Sequence, residues 1–199
     1  MIKKTKVIIA SLIALSAVAT AIPSADATLF ANTRNGGGKF SAWYDESVSQ
    51  KGYTTYFDYA RSQWSGISTK VSIGTTTNPT TSTDQYYVST SIVAGRLGQC
   101  ITISKTTGEV DPNVKNWDYS MVYIFDNNIV LGGYNNDTNK KNTALHEVGH
   151  SIGLAHTSDI NSTLRSQSVM TDGSDTFKNR NVTAPSTYDK GELKYKWGN

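Results

Sequence analysis

The chain has a single cysteine, Cys100, so no intrachain disulfide can form. Stability must come from packing and from any bound ions. Histidine is nearly as scarce: there are three, at positions 146, 150 and 156. Charge of neither sign dominates. Lys and Arg total 19 against 16 Asp and Glu. Three of the lysines, Lys3, Lys4 and Lys6, lie in the first six residues, and without them the charges nearly cancel. That balance leaves no electrostatic footprint for nucleic acid or an anionic membrane. Long apolar runs are also missing after residue 22, so no later segment is apolar enough to span a bilayer.

The amino terminus has the composition of an export signal. Lys3, Lys4 and Lys6 form a positive n-region, and Val7 to Ile22 carries no charge. Ser24-Ala25-Asp26-Ala27 supplies a small-residue cleavage site. Residues 1–27 are therefore expected to be a signal peptide, with an extracellular chain beginning at Thr28. No cysteine follows the apolar stretch, which argues against lipid anchoring. Residues 28–199 suit one domain, with no room for a large prodomain or an accessory module. A monomer is expected. Cys100 stands in the apolar run Gln99-Cys100-Ile101-Thr102-Ile103 and is expected to be a buried, inert thiol.

All three histidines belong to one pattern, His146-Glu147-Val148-Gly149-His150-Ser151-Ile152-Gly153-Leu154-Ala155-His156. Two histidines four apart on a helix share a face, so both imidazoles can reach one metal ion. Glu147 is placed to touch a metal-bound water without binding the metal itself. Gly153 lets the chain leave the helix, and the turn returns His156 as a third nitrogen ligand. Three neutral imidazoles and one open position describe a catalytic zinc site, not a structural one.

Downstream, Ser168-Val169-Met170-Thr171 follows a polar loop from Thr157 to Gln167. With the extended histidine pattern, it resembles the metzincin metallopeptidases, in which a methionine turn floors the metal site. Within that clan the chain is most similar to the matrixins, the family of the matrix metalloproteases. Thr157 resembles the small hydroxyl residue usual after the third histidine. Asp172 stands two residues past Met170, where astacins and serralysins place a tyrosine near the metal. The lysine-rich leader and the single-domain form fit a bacterial exoprotein.

The element order agrees with that likeness. Lys39 to Tyr44 alternates like a strand. Tyr53, Tyr56, Phe57, Ala60 and Trp64 recur at helical spacing, ending at Gly66. Val71–Gly74 is a short strand, and Gln85–Val93 and Gln99–Ser104 read as strands or a hairpin. Met121 to Phe125 is a continuous apolar run suited to a strand buried on both faces. Asn128 to Gly133 is expected to form an antiparallel edge strand along a cleft, where an extended peptide could add. The metal-site helix should start near Asn142 or Thr143. A last helix should start near Ser186, with Asp189, Leu193, Tyr195 and Trp197 resembling the matrixin closing helix. The fold class is thus α+β and metzincin-like: a twisted mixed sheet with a packed helix, a central zinc-binding helix, a Met-turn and a C-terminal helix.

The resemblance implies a secreted zinc endopeptidase acting on protein or peptide substrates. Zinc would be held by His146, His150 and His156, with Glu147 as the base that activates a zinc-bound water. No histidine remains for the second, structural zinc of animal matrixins, so one zinc is expected. Calcium is a candidate at Asp126, Asn127, Asn135, Asn136 and Asp137, whose oxygens suit it. The alternatives are a catalytically silent secreted binding protein that keeps the fold, and a processing protease of narrow specificity.

Overall fold

The computed structural model describes residues 28–157, 162–172 and 181–199; residues 1–27, where a signal peptide is expected, lie outside them. The first strand, β1 (Lys39–Tyr44), buries Ala42 completely. Asp45 caps the short helix α1 (Glu46–Gln50), accepting from Ser47 N at 2.9 Å. Helix α2 (Thr54–Trp64) follows, and its Phe57, Ala60 and Trp64 are fully buried. This is the helical periodicity of the sequence, with its apolar stripe on the sheet. Trp64 also donates from Nε1 to the carbonyl of Leu145 at 2.9 Å, satisfying its polar end.

Strands β2 (Ser72–Thr75), β3 (Asp84–Ser89), β4 (Gly98–Ser104), β5 (Gly108–Glu109) and β6 (Tyr119–Phe125) complete a mixed six-stranded sheet in the order β2-β1-β3-β6-β4-β5. The first four strands in that order run parallel, and β4 runs antiparallel to both β6 and β5. β3 and β4 therefore form no hairpin, because β6 lies between them. Nor is β6 buried on both faces. Val122 and Ile124 face the core, whereas Tyr123 is half-buried and stacks on Tyr87 at 5.0 Å between centroids. Trp43 meets Tyr87 edge-on, so an aromatic row on the far face accounts for the unbroken apolar run.

Three further expectations are corrected. The segment after β6 is a helix, α3 (Asp126–Leu131), not a strand. Only Ile129 of its apolar trio is buried, while Val130 and Leu131 are exposed. Asn128 explains the choice: its amide donates to the carbonyls of Val93 at 2.8 Å and Arg96 at 2.9 Å, tying the helix to the loop before β4. The central helix α4 (Asp137–Ser151) starts five residues before Asn142, capped by Asn136. Asn142 and Thr143 are interior positions. Asn142 donates to the carbonyl of Val182 at 2.7 Å, and Thr143 bonds back to Asn139 O at 2.9 Å. A short helix, α5 (Ser162–Gln167), occupies part of the stretch expected to be loop. The last helix, α6 (Thr187–Trp197), begins as expected, with Ser186 and Asp189 forming a capping box. Among the described residues no helix is long and apolar enough to cross a membrane.

Candidate metal centre

His146 and His150 lie one turn apart on the buried face of α4. Gly153 adopts φ +97°, a conformation a side chain would oppose, and the chain turns back to place His156 beside them. The three Nε2 atoms are 3.1 Å (146–156), 3.1 Å (146–150) and 3.2 Å (150–156) apart. Ligand nitrogens around a tetrahedral ion with bonds of about 2.0–2.1 Å stand about 3.3–3.4 Å apart, so the triangle fits zinc. The other ring nitrogens are occupied. His146 Nδ1 donates to the carbonyl of Val169 and His150 Nδ1 to that of Leu154, each at 2.8 Å. A carbonyl can only accept, so Nδ1 carries the proton and the Nε2 lone pair points inward. His156 is more exposed, and Asp172 Oδ2 lies 3.9 Å from its Nδ1.

Burial, with the neighbouring imidazoles, pushes the pKa of His150 well below its usual 6.5. Burial also lowers that of His156, against the pull of Asp172. Both rings are held neutral at physiological pH, the form a metal requires. Glu147 is 6 % exposed, and burial raises its carboxyl to about 8, opposed by Arg96. A cation in the triangle would favour its charged form. Among the described residues, His146, His150 and His156 are the only group of three His, Cys, Asp or Glu side chains close enough to share an ion. Four of the five calcium candidates have other partners. Asp126 accepts from Tyr53, Asn127 holds Ser91, Asn136 caps α4 and Asp137 pairs with Lys141.

The methionine turn is fastened from two sides. Thr157 N donates to Met170 O at 3.0 Å, and the hydroxyls of Thr157 and Ser168 are 2.8 Å apart. From α6, Asp189 accepts from Ser168 Oγ at 2.5 Å and from Val169 N at 3.1 Å. Met170 packs against Gly149, where a Cβ would lie 2.4 Å from its sulfur.

Strand β4 takes the place beside the centre that the sequence reading gave to residues 128–133. Leu97 O and Ile103 O accept from Phe125 N and Asp118 N, on the β6 side. By strand alternation Gly98 and Cys100 turn their backbone groups outward, as does Thr102, whose carbonyl meets Val110 N of the chain leaving β5. β5 reaches only Ile103 and Ser104, so no strand of the described residues pairs with the edge at Gly98 and Cys100. Cys100 as a whole is half-buried, but burial pushes its thiol pKa well above the usual range, as does the charge of Glu147.

Gly98 was not legible as a site residue. A Cβ there would lie 2.6 Å from both Cγ and Oε1 of Glu147. Gly98→Ala is thus expected to push the carboxylate aside while leaving the histidines untouched. Catalytic efficiency should fall by about 10–10²-fold, in line with small misplacements of a catalytic group. Bound zinc should be unchanged, and kinetics beside metal analysis checks both. Phe30 was also missed; its ring stacks on His150 with centroids 5.7 Å apart. No motif in the sequence signals that contact, because Phe30 comes from the segment before β1, more than a hundred residues earlier.

No protein-family model matches the chain, and no characterised protein sequence matches it significantly. Among solved structures it is similar to high choriolytic enzyme 1, a hatching-enzyme zinc protease from the medaka fish Oryzias latipes. That likeness has a TM-score of 0.43 and 14% identity, over 85% of this chain and 94% of the other.

Proposed function

We propose that this protein is an exported zinc endopeptidase of matrixin-like type. One observation carries the reading: three Nε2 atoms converge at ligand spacing, with a buried carboxylate on the helix that carries His146 and His150. His146, His150 and His156 would hold the metal. Bound there, zinc would supply a Lewis acid for the scissile carbonyl and a water whose pKa is lowered toward about 7. Glu147 accepts the proton of the attacking water and delivers it to the departing amine. The outward groups of Gly98 and Cys100 take an extended peptide as an added strand. The Ser168–Met170 turn supports the metzincin likeness, and its anchor Asp189, on the closing helix, supports the matrixin-like one. The leader at residues 1–27 supports export.

The test is cleavage of a peptide library by the mature chain, with and without zinc. Cleavage that a chelator abolishes and zinc restores is the expected outcome. A zinc-loaded chain that cuts nothing would instead favour a silent binding protein. Metal analysis after dialysis should find one zinc per chain, since a structural zinc wants four ligands drawn mainly from Cys and His. Two zinc ions surviving dialysis would contradict this.

A further inference from the structure

Where the chain turns away from β4 beyond β5, the surface opens into a cavity of about 340 Å³. Phe30, Val110 and Pro112 give it apolar walls, and Cys100 lines it from the β4 edge. Phe30 is the same ring that stacks on His150, so the cavity and the metal centre share a wall. Glu109 and Asp111 line it too, and both are exposed. No Lys, Arg or His is among its lining residues. The nearby Lys115 ammonium is held on Thr107 Oγ1 at 3.0 Å, outside the lining. One oxygen of Asp111 accepts from Asn113 N at 2.8 Å, which leaves the carboxylate further acceptor positions.

The strand register says which part of a peptide reaches this cavity. Gly98 stands over Glu147, and so marks the scissile bond. Cys100 is two residues further along β4, about 7 Å away. Antiparallel pairing is the more stable mode of strand addition. A peptide paired that way runs from the cavity toward Gly98, so the cavity faces residues on the amino side of the cut.

We propose, building on the peptidase reading, that this cavity is a specificity subsite. It takes a lysine or arginine side chain two to four residues before the scissile bond. The methylene stem lies along Phe30, Val110 and Pro112, and the cationic head meets Glu109 and Asp111. Apolar walls alone would accept any long side chain; the two carboxylates select the charged one.

The test uses the full zinc-loaded chain and two peptides that differ only in lysine against norleucine at those positions. Lysine should raise kcat/KM on the order of 3- to 10-fold, as expected for partly solvated ion pairs. The variant Glu109→Gln with Asp111→Asn should abolish that preference and leave kcat/KM on the norleucine peptide unchanged. Both amides are near-isosteric, and circular dichroism checks the fold. Binding of the same peptides to the Glu147→Ala protein, followed by fluorescence anisotropy, reads the subsite without turnover. Equal affinity for the two peptides, or a lysine preference that survives the double variant, overturns the subsite. A lysine preference in binding that needs Glu109 and Asp111, with no cleavage of any peptide by the unmodified chain, upholds the subsite and overturns the peptidase reading.

Discussion

Replacing Glu147 by alanine is expected to leave one zinc bound and the fold intact while turnover falls by at least about 10²–10⁴-fold. Two observations separate this residue from the histidines beside it. Its carboxyl reaches up toward β4, within 2.6 Å of where a Gly98 Cβ would stand, whereas the three Nε2 atoms converge on one another. It is also the only carboxylate in the central helix that is buried; Asp137, in the first turn, is exposed. Burial holds its pKa at about 8 without a metal. Truncation to alanine therefore removes a group that is costly to bury and should not destabilise the metal-free chain. The decisive measurement is kcat/KM beside zinc content on the same preparation. Near-native turnover would show that another group moves the proton. Loss of zinc in step with activity would show that Glu147 is a ligand.

The cluster of three histidines could be read from the sequence because its geometry is local. His146 and His150 meet through helical spacing alone, and Gly153 reverses the chain through its own φ. The helix-forming aromatics Phe57 and Trp64 were equally readable, because burial of a periodic stripe dictates them. The misreadings fall where tertiary contacts decide. Ile129-Val130-Leu131 has strand composition, yet Asn128 bonds to Val93 and Arg96 and holds the segment as a helix. Asn142 and Thr143 look like caps, but their side chains satisfy Val182 O and the previous helical turn. The strand along the centre was misassigned for the same reason. Nothing local in Gly98-Gln99-Cys100 reveals that no described strand pairs with this edge while β6 covers the other. Phe30 and Gly98 act across long sequence separations and leave no local signal, whereas Asp189 is marked by its place in the closing helix, and only its bonds to Ser168 and Val169 needed the folded chain.

Arg34 is the site of the largest stability effect expected. It is 3% exposed, and it pairs with Asp84, which is completely buried. Its guanidinium also donates to Ser82 O at 2.8 Å and lies 3.9 Å from the centroid of the Phe40 ring. Ser120 N donates to the same carboxylate at 2.8 Å. Burial raises the pKa of Asp84 above its ordinary value, and Arg34 is the strongest opposing influence. Arg34→Ala removes that influence and leaves a buried, uncompensated charge, a change that costs about 3–5 kcal/mol. The sign with pH follows. A carboxyl whose folded pKa is raised contributes stability below its unfolded value of about 3.9, and loses it as pH rises through the folded value. Without Arg34 the folded value is higher still, so the variant goes on losing stability over a wider span. The deficit relative to the unmodified chain should be small near pH 4, where the lost stacking on Phe40 and the bond to Ser82 remain. It should grow toward neutrality. Urea midpoints at pH 4 and pH 7.5 measure it, and an equal deficit at both would rule out the buried charge as its cause. The double variant Arg34→Met with Asp84→Leu should recover most of the loss, since an apolar pair of similar volume leaves no ion to solvate. The consequence reaches the metal centre, because Arg34 lies four residues from Phe30 and pins the segment that stacks on His150.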